Sequence, residues 1–189
     1  MTLFIVPGFK QKTTDLTWLK VKKLSQKYFQ EAILFQPEWN YHTLTDWVGA
    51  FDQCRQQYVG PQMVLGFSFG AMIAFLSSIN LPTETAILCS LSPYFSEDIS
   101  SLKPWWNHAV GKKRMATFQE THFSKLAPKS HSQNYLLVGE KEVSQCFTRY
   151  YDALEQLPGS SGIVVPQAGH DIGHQQYLAA LDQLFNKLT

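Results

Sequence analysis

Short apolar runs alternate with longer amphipathic segments along this chain. The runs are four to six residues long in most cases and are rich in aliphatic side chains, which is typical of strands that are buried on both faces of a sheet. Runs of this kind predict strands at residues 3–6, 32–35, 64–65, 85–89, 134–138 and 162–165. Pro7-Gly8 directly follows the first run and indicates a loop there.

The segments between these runs have the spacing of helices. Residues 15–29, 43–58 and 144–157 and a C-terminal stretch are predicted to be helical, and Pro158-Gly159 ends the third of them. Thr43 and Asp46 are spaced as a capping box at the start of the second. The apolar positions that define the first and last helices are Leu16, Leu19, Leu24 and Tyr28, and Tyr177, Leu178, Leu181, Leu184, Phe185 and Leu188.

Strands that alternate with helices predict βαβ units. We therefore expect one α/β domain over residues 1–189, a three-layer α/β/α sandwich around a mostly parallel six-stranded sheet. Residues 92–132 are longer than one crossover helix needs. They predict a crossover helix with a small lid or, alternatively, a surface excursion whose tryptophans only fill the local core.

Composition limits the classes of protein that fit. The chain has 189 residues, 44% of them hydrophobic, and a formal charge of +1, which indicates a globular protein without a dedicated nucleic-acid surface. Three widely spaced cysteines favour reduced thiols over a disulfide framework or a zinc site. The first residues lack the charge and length of a signal peptide, and no segment reaches the length of a membrane span. We expect a cytoplasmic protein.

One motif carries the candidate chemistry. Residues 66–70 read Gly-Phe-Ser-Phe-Gly and lie between an apolar strand and the apolar run 71–76. A serine on a sharp turn between strand and helix exposes its hydroxyl, and the flanking glycines allow close approach of the backbone. Ser68 is therefore a candidate nucleophile.

A serine nucleophile needs a base and an acid that orients the base. The fifth predicted strand runs into Gly139-Glu140-Lys141-Glu142, and the sixth leads to Ala168-Gly169-His170. His170 is the candidate base because it lies on a loop at the end of a strand and before the last helix. Glu142 is the candidate acid, with Glu140 as the alternative.

With these motifs the chain resembles a small α/β hydrolase over nearly its whole length. Val6-Pro7-Gly8-Phe9 resembles the family's oxyanion loop, although Pro7 replaces the usual histidine. Two further departures are the missing leading antiparallel strands and a glutamate where the family usually has an aspartate.

The resemblance implies a serine hydrolase that cleaves carboxylic esters or thioesters through an acyl-enzyme on Ser68. His170 would act as the base and Glu142 as the acid, while the backbone N–H groups of Phe69 and Phe9 would bind the oxyanion. No metal or organic cofactor is implied. Aromatic side chains are the candidate substrate-binding residues, namely Phe67, Tyr94, Trp105 and Trp106.

The basic residues do not decide which leaving group the substrate carries. Lys10 and Lys112-Lys113-Arg114 suggest an anionic carrier such as coenzyme A or a carrier protein, with a solvated surface as the simpler explanation. Other functions also fit this fold. They are a catalytically silent scaffold for binding, an acyltransferase that uses the same three residues, and cofactor-free haloperoxidation.

Overall fold

The computed structural model describes residues 1–189 apart from the side chain of Asn107. Its strands are β1 (Thr2–Val6), β2 (Glu31–Leu34), β3 (Gln62–Phe67), β4 (Thr85–Cys89), β5 (Gln133–Gly139) and β6 (Ser161–Val165). Its helices are α1 (Leu16–Ser25), α2 (Leu44–Arg55), α3 (Phe69–Asn80), α4 (Pro104–Val110), α5 (Lys112–Glu120), α6 (Phe123–Leu126), α7 (Ser144–Gln156) and α8 (Gln175–Leu188). Short 3₁₀ turns lie at Ile99–Ser101 and Ala127–Lys129.

The strands form one sheet in the order β2-β1-β3-β4-β5-β6. Every neighbouring pair is parallel, with Ile5 beside Leu65 and Leu65 beside Ile87 at the centre. The carboxyl ends of all the strands therefore meet at one edge. The strand order reverses between β1 and β3, and a crevice at such a point is where open α/β sheets bind ligands.

Alternating side chains divide the interior into two cores, one on each face of the sheet. Phe4, Val64 and Leu136 pack against α2, α3, α7 and residues of the insertion. Leu65 and Ile87 pack on the opposite face against α1 and α8. This arrangement confirms the predicted three-layer sandwich, and its sheet is parallel throughout.

Most predicted elements are present with shifted ends. The capping box at Thr43 and Asp46 opens α2, and the apolar stripe of α8 faces the core. The first predicted helix is also present, but two of the apolar positions that predicted it, Leu16 and Leu19, are 67% and 49% exposed. The sheet is instead covered by Trp18 and Val21 of α1, both fully buried.

The insertion at residues 92–132 contains three short helices, α4, α5 and α6. Phe118 and Phe123 are fully buried in the first core, whereas Trp105 of α4 is 64% exposed. The phenylalanines of the insertion therefore fill the core, while α4 lies over the edge of the sheet. The alternative in which the tryptophans only fill the local core does not hold for Trp105. In the described chain, no helix combines the length and apolarity that a membrane span requires.

Candidate active site

Ser68 occupies a strained turn between β3 and α3. Its backbone has φ +58° and ψ −122°, a combination that costs a non-glycine residue free energy and persists only where the surroundings enforce it. The Ser68 N–H donates to the carbonyl of Cys89 at 2.9 Å, which fixes the turn to the end of β4. This is the backbone geometry that the Gly-Phe-Ser-Phe-Gly sequence predicts.

The two flanking glycines are required by close backbone contacts. A Cβ atom on Gly66 would lie 2.1 Å from the carbonyl oxygen of Gly70. A Cβ atom on Gly70 would lie 2.2 Å from the carbonyl oxygen of Val6 and 2.3 Å from that of Pro7. The strand-to-helix turn at residues 66–70, or elbow, is therefore packed against the end of β1, where the Pro7-Gly8-Phe9 loop begins.

In the structure, the side chains of Ser68, His170 and Glu142 lie in one line, with the imidazole between the hydroxyl and the carboxylate. His170 Nε2 lies 3.0 Å from Ser68 Oγ, and His170 Nδ1 lies 2.7 Å from Glu142 Oε2. The Glu142 side chain is fully buried, whereas that of His170 is 46% exposed. An imidazole in this position can accept the serine proton while the carboxylate holds its other nitrogen.

Close packing of two loops makes this line possible. A Cβ atom on Gly139 would lie 2.6 Å from the carbonyl oxygens of both Ala168 and Gly169. The Lys141 N–H also donates to the carbonyl of Ala168 at 2.8 Å. The loop that carries Glu142, the candidate acid, is thereby held against the loop that carries His170.

Glu142 is held in its ionised form. Burial alone would raise its pKa, but hydrogen bonds with His170, Ser90 and Cys146 outweigh burial and lower the pKa below its usual value. Glu140, the alternative acid, instead accepts the N–H of Gln167 at 2.8 Å on the surface. The geometry thus favours Glu142 over Glu140.

Ser90 and Tyr177 extend this line, and sequence reasoning missed both. The Ser90 hydroxyl donates to Glu142 Oε1 and lies 3.0 Å from the Tyr177 hydroxyl, which in turn donates to the carbonyl of Leu137 at 3.1 Å. One signal was available in the sequence, because Ser90 directly follows a buried strand and so lies at the same edge of the sheet as Ser68.

Phe67 does not line the cavity that opens beside Ser68, contrary to the sequence interpretation. Side chains alternate along β3, so Phe67 points away from the first core and into the second. It is 1% exposed, and its ring centroid lies 4.8 Å from that of His170. Phe67 therefore packs against the imidazole ring of His170 from the side of the second core.

The candidate oxyanion donors lie on adjoining segments. In the described chain, neither the Phe69 N–H nor the Phe9 N–H donates a hydrogen bond. Their rings are in contact, with centroids 5.2 Å apart. Phe69 is also the first residue of α3, whose positive end favours a developing negative charge.

A largely apolar cavity of about 390 Å³ opens beside Ser68. Its walls include three of the four predicted substrate-binding residues, Tyr94, Trp105 and Trp106. Ser92, which was not predicted, also lines it, and the Ser92 hydroxyl lies 3.1 Å from Ser68 Oγ. The cavity size falls within the range of small-molecule sites.

The same place contains three potential metal ligands. Donor atoms of Glu142, Cys146 and His170 lie within 4.8 Å of one another. Both ring nitrogens of His170 already have partners, Glu142 and Ser68, and burial raises the pKa of the Cys146 thiol. Because the imidazole has no free nitrogen and the thiol stays protonated, this set fits proton transfer better than metal binding.

The fold is similar to that of several solved hydrolases. A putative hydrolase from Agrobacterium vitis S4 has a TM-score of 0.83 at 14% identity, covering 99% of this chain and 87% of that one. Est1E from Butyrivibrio proteoclasticus has a TM-score of 0.80 at 13% identity, with 99% and 86% covered. Mouse alpha/beta hydrolase domain-containing protein 10 has 0.80 at 13%, with 100% and 90% covered. At these identities the likeness establishes the α/β-hydrolase fold alone.

Sequence comparison supplies the family. None of the curated proteins matches the chain. The family model described as serine hydrolase matches residues 3–186, which is nearly the whole sequence. That match includes the turn at Ser68 and both loops that meet it, and the chain belongs to the serine hydrolase family.

Proposed function

We propose that this protein hydrolyses carboxylic esters or thioesters through an acyl-enzyme on Ser68. The observation that carries the proposal is the line of Ser68, His170 and Glu142, with separations of 3.0 and 2.7 Å, on a turn held in a strained backbone conformation. A nucleophile, a base and an orienting acid in this arrangement suit acyl transfer.

The reaction would proceed in two steps. Ser68 Oγ attacks the acyl carbon while His170 accepts its proton and passes it to the leaving group. Glu142 holds the imidazole in the required tautomer and stabilises the imidazolium. The N–H groups of Phe69 and Phe9 stabilise the negative oxygen, and water then releases the acid by the reverse sequence of proton transfers.

The cavity favours an apolar acyl group. Tyr94 and Trp106 stack with their ring planes 14° apart and, together with Val143 and Cys146, form a surface that a hydrocarbon chain could contact. Each methylene that enters such a surface contributes about 0.8 kcal/mol. Lengthening a short acyl chain should therefore raise kcat/KM about fourfold per carbon until the cavity is full.

The nucleophile is tested by Ser68→Ala. Loss of the serine or the histidine of a triad typically lowers turnover by about 10⁶-fold, so the variant should lose hydrolysis of short-chain esters and labelling by a fluorophosphonate probe. Circular dichroism would verify that it is folded. Wild-type protein that resists the probe would instead indicate a catalytically silent scaffold, and products formed with added alcohols or amines would indicate an acyltransferase.

The acid is tested with a matched pair of substitutions. Glu142→Gln should lower kcat by about 10⁴-fold, because the neutral amide no longer stabilises the imidazolium and can favour the wrong tautomer. Glu140→Gln is the control, since that carboxylate contacts the Gln167 N–H on the surface. Steady-state assays that rank the two variants in the opposite order would transfer the role to Glu140.

A further inference from the structure

A basic groove lies beside the catalytic cavity. It has a volume of about 570 Å³, and Lys10, Lys112, Lys113 and Arg114 line it together with residues 40–42. Among its described lining residues there is no aspartate or glutamate. For a chain with a net charge of only +1, this is a local concentration of positive charge, and such a concentration attracts anions.

Three lysines of the groove have their charges available. The hydrogen-bond donors of Arg114 are already used, because its guanidinium donates to the carbonyls of His42, Val110 and Trp39. In contrast, Lys112 forms no ion pair or hydrogen bond within the described chain, and Lys113 Nζ reaches only the carbonyl of Tyr41 at 3.5 Å. Lys10 Nζ lies 5.2 Å from the centre of the Phe9 ring.

One carboxylate outside the groove interacts with its lysines. Asp46 lies close enough to Lys113 for their charges to interact. Its Oδ2 atom, however, accepts hydrogen bonds from both the backbone and the side chain of Thr43 at 2.8 Å. Asp46 therefore stays ionised and offsets part of the charge of Lys113. In the described chain, however, none of Lys10, Lys112 and Lys113 forms an ion pair with a carboxylate, so the groove keeps a net positive charge.

Two connections join the groove to the catalytic cavity. Lys10 directly follows Phe9, a candidate oxyanion donor, and its backbone is strained at φ +62°. Helix α4 lines the catalytic cavity with Trp105, Trp106 and Ala109 and ends at Val110 in the groove. Ala109 and Val110 are adjacent, so a ligand that extends along the end of α4 would contact both sites.

An aromatic side chain completes the groove. Tyr41 is 90% exposed and also has a positive φ, of +62°. An exposed aromatic ring beside unpaired lysines is the combination that binds nucleotides, because the ring stacks on the base while the cations contact the phosphates.

We propose that the groove binds the phosphates and base of a nucleotide-type leaving group, so that the substrate is an acyl thioester of the coenzyme A class. This inference rests on the proposed acyl-enzyme at Ser68. Ser68 Oγ forms the bond to the acyl carbon as the carbon–sulfur bond breaks, and His170 transfers the serine proton to the departing thiolate. Water then adds its hydroxyl to the acyl carbon and returns a proton to Ser68, so the net reaction is thioester plus water to acid plus thiol.

The kinetic test compares two thioesters with the same acyl group, one of coenzyme A and one of N-acetylcysteamine, which lacks the phosphates and the base. We expect kcat/KM at low ionic strength to be at least about tenfold higher for the coenzyme A thioester. The double variant Lys112→Gln/Lys113→Gln should lower the ratio of the two kcat/KM values, coenzyme A thioester over N-acetylcysteamine thioester, about fivefold to tenfold. Added salt should lower the same ratio in the wild type. The substitutions remove charges that the dipole of α5 disfavours, so the fold should persist.

The control is Lys20→Gln/Lys23→Gln on α1, which packs on the opposite face of the sheet and should leave the ratio unchanged. Calorimetry with adenosine 3′,5′-bisphosphate and Ser68→Ala protein measures the groove without turnover, and binding should weaken in the Lys112/Lys113 variant. Absent or salt-insensitive binding, or equal ratios in the wild type and this variant, would overturn the groove proposal. Continued hydrolysis of the N-acetylcysteamine thioester would then leave the proposed function intact, whereas its absence together with failed probe labelling would remove that function as well.

Discussion

At the scale of single residues, the hydroxyl groups of Ser90 and Tyr177, which lie behind the proposed triad, share protons in a way that matters for the proposed catalysis. An ionised Glu142 can only accept, so the single Ser90 proton must point to Glu142 Oε1. The Tyr177 proton is then shared between Ser90 Oγ and the carbonyl of Leu137. Ser90 therefore fixes one oxygen of the carboxylate, and this leaves Oε2 aimed at His170.

Ser90→Ala tests this positioning role. A hydrogen bond to a charged group contributes about 1.5–3 kcal/mol, so kcat should fall about 10- to 100-fold while KM changes little. The pKa of Glu142 should rise, because a donor that stabilises its ionised form is lost. A carboxyl-carbon NMR titration should therefore show Glu142 protonating at higher pH than in the wild type.

Tyr177→Phe is the matched comparison, since it removes only the hydroxyl that contacts Ser90. Its effect on kcat should be smaller than that of Ser90→Ala, because Ser90 keeps its own bond to Glu142. An unchanged kcat together with an unchanged Glu142 titration in Ser90→Ala would show that Ser90 only fills space.

Site residues that belong to a short sequence motif could be predicted from the sequence, and those without a motif could not. Ser68 and His170 occupy positions that short motifs specify. Ser90 and Tyr177 have no such motif, because their contact depends on β4 and α8 meeting in space, 87 residues apart along the chain. Phe67 was misassigned because an aromatic residue beside a nucleophile can point to either side of the sheet, and only the register of β3 decides which.

At the scale of elements, the elbow depends on the absence of a side chain at residue 70. Gly70→Ala would place a methyl group about 2 Å from two carbonyl oxygens of the neighbouring segment. Neither backbone can retreat without opening the junction of β1 and α3, so we expect a loss of stability of about 1–3 kcal/mol and a large loss of kcat. Urea unfolding and ester hydrolysis would measure both.

Gly49→Ala is the control for that substitution. Gly49 lies on the exposed side of α2, and a Cβ atom there meets nothing within 4 Å. Alanine has the higher helix propensity, so this variant should gain about 0.5–1 kcal/mol and keep full activity. Similar stability losses for both variants would contradict the steric explanation for Gly70.

Helix α1 shows where periodicity misleads at this scale. Leu16, Leu19 and Leu24 have helical spacing, but Trp18 and Val21 define a second apolar stripe that is rotated around the same helix. Periodicity alone does not choose between two stripes on a short helix. The sheet selects the bulky Trp18, whose ring reaches Phe67 beneath the histidine with a centroid separation of 6.3 Å.

At the scale of the whole molecule, a buried ion pair connects the insertion to the main body. Asp98, near the start of the insertion, lies 3.2 Å from Nη1 of Arg149 in α7. The two side chains are 7% and 1% exposed, and the guanidinium lies 4.3 Å from the centre of the Phe123 ring. Burial raises the pKa of Asp98 despite the adjacent cation. Helix α7 follows the loop of Glu142, so this pair connects the insertion, which covers the cavity, to the segment that carries the proposed acid.

Breaking this pair should therefore destabilise the insertion and the site together. Asp98→Asn leaves the buried Arg149 cation with only the part-exposed carboxylate of Asp152, 3.6 Å from Nη2, as a counter-charge, and breaking a buried pair typically costs about 3–5 kcal/mol. Arg149→Met added to it removes that charge while keeping apolar contact with Phe123, so the double variant should be more stable than Asp98→Asn. Urea unfolding followed by both tryptophan fluorescence and ester hydrolysis would measure the effect. Coincident transitions are expected, because the pair joins the two parts.

An exposed ion pair on the opposite face provides the control. Lys27 Nζ lies 3.6 Å from Asp182, with the two side chains 62% and 43% exposed. Water and salt screen such a pair, so Lys27→Gln should cost less than about 1 kcal/mol. If Asp98→Asn cost no more than Lys27→Gln, the buried pair would not hold the insertion. The apolar contacts of Phe118 and Phe123 would then be the interactions that fix the roof of the cavity above Ser68.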